Sequence, residues 1–135
     1  MPTLLVHMAA GIMATLAILH LIYTLHDAFG RPKYFVPADR SLLEKLKKTT
    51  TALSPSGRNF WQNLIGFHLS HAIGVLLYAY LIEVAMAPNM KGLRAGLIGI
   101  GMVYAVIGWT CWFQVPAWGA TISVLLLTAG WLLPG

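Results

Sequence analysis

Four apolar stretches divide this chain, and between them they hold one charged side chain. Leu4 to His26, Phe60 to Met86, Ala95 to Val115 and Ala117 to Pro134 contain no Asp, Lys or Arg and a single acid, Glu83. A helix needs roughly 20 apolar residues to cross a bilayer. The first three stretches reach that length, and the fourth is just long enough. Charged residues make up only 10% of the 135 and apolar ones 58%, whereas soluble chains carry roughly 25% charge. A soluble domain this small could not hide so much apolar surface. In lipid the backbone must satisfy its own polar groups, which leaves helices or a closed barrel. Barrel strands alternate at period two, and these runs do not. The expected fold is therefore all-α: a polytopic membrane four-helix antiparallel bundle in one transmembrane domain, residues 1–135.

Helix boundaries follow from breakers. The first helix is expected at about 3–26, ended by Asp27, Gly30 and Pro32. The others are expected at about 60–87, 93–115 and 117–134, punctuated by Pro88 with Asn89 and by Pro116. The basic loop 27–59 carries Arg31, Lys33, Arg40, Lys45, Lys47, Lys48 and Arg58, seven of the nine Lys and Arg residues. Inside it SLLEKLKK, residues 41–48, reads as a short amphipathic interfacial helix. Ser41 and Glu44 form a capping-box pattern there, and Leu42, Leu43 and Leu46 share a face. Ser54 to Gly57 read as a turn, and Asn59 as the cap of the second helix.

Placement of charge also directs function. A net charge of +5 and a pI near 9.7 would suggest nucleic acid in a soluble protein. Here the cations lie in connections between spans, where they face anionic headgroups and set topology. The expected partner is the lipid bilayer, not nucleic acid. The richer loop, 27–58, is expected in the cytoplasm of a bacterial inner membrane, with both termini outward. Lys45, Lys47, Lys48, Trp61 and Trp118 are expected at the lipid interface, with Trp112 on the same side and Trp131 on the other. The first stretch lacks a basic leader and a small-residue cleavage site, so it reads as a span rather than a signal peptide. Cys111 is the single cysteine and leaves no intrachain disulfide.

Small residues at helical spacing mark packing seams: Gly66, Ser70 and Gly74 in the second helix, and Gly101 with Gly108 in the third. They serve packing within the chain, self-association, or contact with other membrane subunits.

Five histidines remain: His7, His20, His26, His68 and His71. Ionisable groups at depth face a bundle interior or a partner. His20 lies about 10 Å inside the loop-side boundary at 1.5 Å per residue, and His71 about 12 Å. Antiparallel neighbours would bring those two together. Three readings compete. The polar groups hydrogen-bond across helices and fix packing; or His20 and His71 ligate a haem or chlorophyll-type tetrapyrrole, with His68 as a lesser candidate; or His20, His68 and His71 form a metal or proton site. No HxxxH, HExxH or deep carboxylate pair supports a zinc enzyme. Glu83 is expected to pair with Lys91 or Arg94. No phosphate loop, dinucleotide fingerprint, nucleophile elbow or inverted repeat is present, and no catalytic residue is assigned. A non-catalytic accessory subunit of a larger membrane complex is the leading expectation, with a tetrapyrrole protein or a small oligomeric transporter as alternatives.

The segment WQNLIGFHLSHAIG resembles a family of small uncharacterised bacterial four-helix membrane proteins. The resemblance rests on Trp61, Gly66, Phe67, Ser70, His71 and Gly74, with His20 upstream. It covers about half the chain and departs at His68, where the family carries Asn. It implies the four-helix fold and draws attention to His20 and His71, and supplies no reaction.

The topology is testable with a cysteine placed at Ser56 in a Cys111→Ser background. An impermeant maleimide added outside intact cells is expected to leave it unlabelled and to label it only after permeabilisation. Labelling in intact cells would invert the assignment.

Overall fold

The computed structural model describes residues 2–132. Its elements are α1 (Pro2–Phe29), α2 (Arg40–Lys48), β1 (Thr50–Thr51), β2 (Ser54–Asn59), α3 (Phe60–Val84), α4 (Lys91–Cys111) and α5 (Gln114–Leu132). The chain is all-helical apart from the strand pair. Four helices, α1, α3, α4 and α5, are long and apolar enough to cross a membrane. The expected reach of the last helix to residue 134 lies outside the described residues.

Two compact units make up the chain. One gathers the chain up to Ala17 with the chain from Gly74 on, and the other is Ile18–Ile73. In the first unit the core is a row of narrow contacts. Val6, Ala9, Ala10, Met13 and Ala17 form a helical stripe on α1, and Val75, Tyr78, Ala79 and Ile82 a second on α3. Ala85, Leu97 of α4, and Ala120 and Leu127 of α5 complete it. Alanine at so many positions lets backbones approach closely. Two polar side chains tie the core. The Tyr78 hydroxyl donates to the Leu97 carbonyl at 2.9 Å, and the Ser123 hydroxyl to the Ala9 carbonyl at 3.0 Å.

A hairpin joins α4 and α5 through Trp112 and Phe113. Pro116 falls in the first turn of α5, where the missing amide would have no helical partner. The helix therefore starts before the proline, at Gln114, and α4 ends at Cys111. Gly108 and Gly101 make the hairpin close. A Cβ at Gly108 would lie 2.9 Å from the Ala117 Cα. A Cβ at Gly101 would lie 2.6 Å from the Tyr78 hydroxyl oxygen and 3.0 Å from the Val124 side chain. The bare side of α4 at Gly101 is thus what admits the Tyr78 phenol to the Leu97 carbonyl. The Trp109 indole N–H donates to the Thr121 hydroxyl at 3.0 Å.

The end of α3 differs from expectation in an informative way. It stops at Val84, and the next three carbonyls are claimed by one side chain. The Arg94 guanidinium donates to Ala85, Met86 and Ala87 at 2.8, 3.1 and 3.0 Å. Carbonyls left over at a helix end need donors, and the fork of an arginine serves several at once. Arg94 is therefore not the partner of Glu83. Glu83 pairs with His7, at 2.9 Å from Nδ1 to Oε2.

In the second unit α2 is capped by Asp39, whose carboxylate accepts from the Ser41 amide at 2.9 Å. Glu44 does not reach back to close a capping box around Ser41, and instead meets Lys47 at 3.1 Å. The apolar face of α2 is used within the chain. Leu43 is buried with Trp61 and Ile65, and Leu46 packs beside them. Trp61, expected at the lipid interface, is 7% exposed, because the α2 leucines come to it. Lys45 and Lys48 stay exposed and Lys47 is half-buried. Trp118, on α5, is 54% exposed. Residues 54–57 are not a turn but part of an antiparallel pair, with Thr50 opposite Asn59 and Thr51 opposite Ser54. The turn falls at Ala52 and Leu53, leaving Leu53 99% exposed. Asn59 caps α3: its side chain accepts from the Gln62 amide at 2.9 Å, and the Gln62 side chain accepts from the Asn59 amide at 3.3 Å. That reciprocal pair is a capping box.

Gly108→Leu is expected to lower stability in detergent by about 1–3 kcal/mol, the usual cost of overpacking a close contact. Thermal unfolding measures it. Gly99→Leu, where a Cβ meets nothing within 4 Å, is expected to leave the transition unchanged.

Candidate functional site

The second unit holds the densest group of polar and aromatic side chains. His20 comes from α1, about two and a half turns before its end at Phe29. His68 and His71 come from α3, where a spacing of three places both on one edge. His20 Nε2 and His68 Nδ1 are hydrogen-bonded at 3.0 Å. The His71 ring meets His20 edge to face, with centroids 5.3 Å apart. Phe35, from the connection after α1, covers the pair. It stacks on His68 at 4.3 Å and 21°, and lies 4.7 Å from His20. All three histidines are half-buried.

One carboxylate puts Phe35 there. Asp27 is 1% exposed and lies on α1 itself, which runs on to Phe29 rather than stopping at His26. Its Oδ1 accepts from the amides of Lys33 and Tyr34 at 2.7 and 3.2 Å. Its Oδ2 accepts from Tyr34 and Phe35 at 3.0 and 2.7 Å. His26 Nδ1 adds a contact at 3.3 Å. A buried carboxylate is costly unless hydrogen-bonded, and backbone amides are strong partners for it. The result is a loop folded back onto the helix that precedes it. Tyr34 then stacks on Tyr23 at 4.3 Å, and Thr24, fully buried, donates to the His20 carbonyl at 2.7 Å.

His20, His68 and His71 are thus gathered, and His68, the lesser candidate by sequence, makes the direct bond to His20. His7 and His26 go to Glu83 and Asp27. Ser70 is exposed and donates to the Phe67 carbonyl, and Asn63 donates to Arg58. Thr121 and Ser123 serve helix contacts in the other unit. Sequence reasoning missed Asp27 and Phe35. An acid at the foot of an apolar helix, followed within eight residues by Gly, Pro and an aromatic pair, is the signal that carried them.

The ring geometry constrains any ligand. His20 Nε2 and His68 Nδ1 are hydrogen-bonded to each other, so neither of those two nitrogens is open to a metal. Among the described residues no three His, Cys, Asp or Glu are arranged to hold a metal ion. A tetrapyrrole gripped between His20 and His71 would separate the imidazoles across its plane. Here the two rings are in direct aromatic contact, so this arrangement does not fit a macrocycle between them. No protein-family model, curated protein or solved structure matches the chain.

Asp27→Ala is expected to free the loop. A charged hydrogen bond contributes about 1.5–3 kcal/mol, so the amides of Lys33, Tyr34 and Phe35 should exchange hydrogen at least about tenfold faster. Hydrogen–deuterium exchange in detergent measures this. Unchanged protection of those three amides would show that the loop holds itself.

Proposed function

We propose that the chain is a non-catalytic, multi-pass subunit of a bacterial inner-membrane assembly, docking through one face of α3. Its basic loop 27–58 would face the cytoplasm, where Lys45, Lys47 and Lys48 meet anionic headgroups.

The supporting observation is a division among the glycines. Gly101, Gly108, Gly119 and Gly130 are used inside the chain, where a Cβ would come within 3.0 Å of another residue. Gly66 and Gly74 are different: a Cβ at either would meet nothing within 4 Å. They are exposed, as is Ser70 between them. At four-residue spacing these three form one flat stripe, with Phe67 and Ile73 exposed at its borders. In lipid, helices associate by close backbone approach over small residues, because burial of apolar surface gives no drive there. A stripe of this kind suits a second transmembrane helix, from another subunit or from a second copy. On α4, Gly96 and Gly99 with Ile100, Val103 and Tyr104 line a shallow concavity of about 510 Å³, which offers a second small-residue face.

The test is the double variant Gly66→Leu with Gly74→Leu. Both sites have room, so the variant should fold. Particle mass after gentle extraction from the native membrane, read by native mass spectrometry, is expected to fall to that of the single chain. A loss of about 1–2 kcal/mol of helix–helix affinity is roughly a tenfold weakening. An unchanged mass, whether of one chain or of a complex, would remove this face from the docking surface.

A further inference from the structure

The His20–His68 bond has a property that packing alone does not require. Two imidazoles joined nitrogen to nitrogen need one proton between them, and two arrangements supply it. In the first, His20 carries hydrogen on Nε2 and donates it, while His68 accepts on Nδ1 and carries its own hydrogen on Nε2. In the second, His68 donates from Nδ1 to His20 Nε2, and His20 carries its hydrogen on Nδ1. Both keep the pair neutral and the 3.0 Å contact intact.

We propose that the His20–His68 pair is a proton-transfer site. A proton arriving at the bare Nδ1 of His20 makes that ring an imidazolium. Its Nε2 proton then crosses the hydrogen bond to His68 Nδ1, and His68 releases its Nε2 proton. One proton enters and one leaves, no electron moves, and the first arrangement becomes the second. The reverse transfer restores it. The partner that supplies and removes protons is water or a neighbouring base.

The surroundings suit this exchange. Imidazole is the side chain whose ordinary titration range spans neutral pH. Ionisable groups set into apolar helices mark proton relays. Phe35 shields the shared bond on one side, and His71 packs against His20 on another. Beside His71, the titratable groups of this region include Asp27, His26, Tyr23, Tyr34 and Lys33. The Asp27 carboxylate is held by the amides of Lys33, Tyr34 and Phe35 and contacts His26, so it anchors the cover rather than competing for the proton. The inference is independent of docking through α3, since Gly66 and Gly74 take no part in the pair.

Solid-state nitrogen NMR of the full chain, labelled at histidine and reconstituted in phosphatidylcholine vesicles, tests it. The expected result is a correlation between His20 Nε2 and His68 Nδ1, both at shifts between those of bare and protonated nitrogen. Across an acid-to-neutral pH series the two rings should move together as one coupled pair. His68→Gln should abolish the averaging and leave His20 at the shift of a single tautomer. Two nitrogens fixed at the separate shifts of donor and acceptor throughout that range would overturn the proposal. So would rings that titrate independently, or an averaged His20 signal that survives His68→Gln. The wild-type spectrum decides the matter even where a variant fails to fold.

Discussion

A helix leaves four amides and four carbonyls unpaired at its ends, and in a chain this poor in polar residues those groups must be met by very few side chains. Three charged side chains are placed at such backbone groups. Arg94 takes three carbonyls beyond the end of α3. Asp27 takes the amides of three consecutive loop residues after α1, and Asp39 caps α2. Asn59 and Gln62 cap the start of α3 reciprocally. Two of the four acidic residues, Asp27 and Asp39, thus serve backbone amides. This explains why Glu83 is left to His7: the nearby arginine already has a role in the backbone.

The same economy shapes the core. In the first unit alanine and glycine at helical spacing bring the helices close around Ile82, Leu97 and Leu127. Where a glycine is pressed against a neighbour, a specific bond follows from it, as with Tyr78 reaching Leu97 beside Gly101. Where a glycine opens outward, as at Gly66 and Gly74, the chain itself supplies no neighbour within 4 Å. The two groups are indistinguishable by composition. Only the direction each faces separates internal packing from the docking surface proposed here.

The histidine cluster depends on Asp27 at one remove. Two histidines on α3 lie on one edge by spacing alone, and His20 lies at a similar depth by counting from the loop. What completes the group is a loop turned back by a carboxylate, so that Phe35 stacks on His68 and covers its bond to His20. The cluster is then a set of rings in mutual contact, the arrangement from which the proton transfer is proposed.

The four apolar helices and the concentration of cations in one connection were legible in the sequence, because both follow from composition over long windows. The cap at Asn59 was legible because capping is local. Helix ends shifted by a few residues, as at Val84 and Gln114, since they depend on which side chain reaches the leftover groups. The buried Trp61, the buried Asp27 and the direct His20–His68 bond were not legible. Each requires segments far apart in sequence to meet: α2 against the start of α3, a loop against the foot of α1, one helix edge against another. Periodicity tells which residues share a face. Which face meets which is a matter of packing, and that the tertiary structure alone decided.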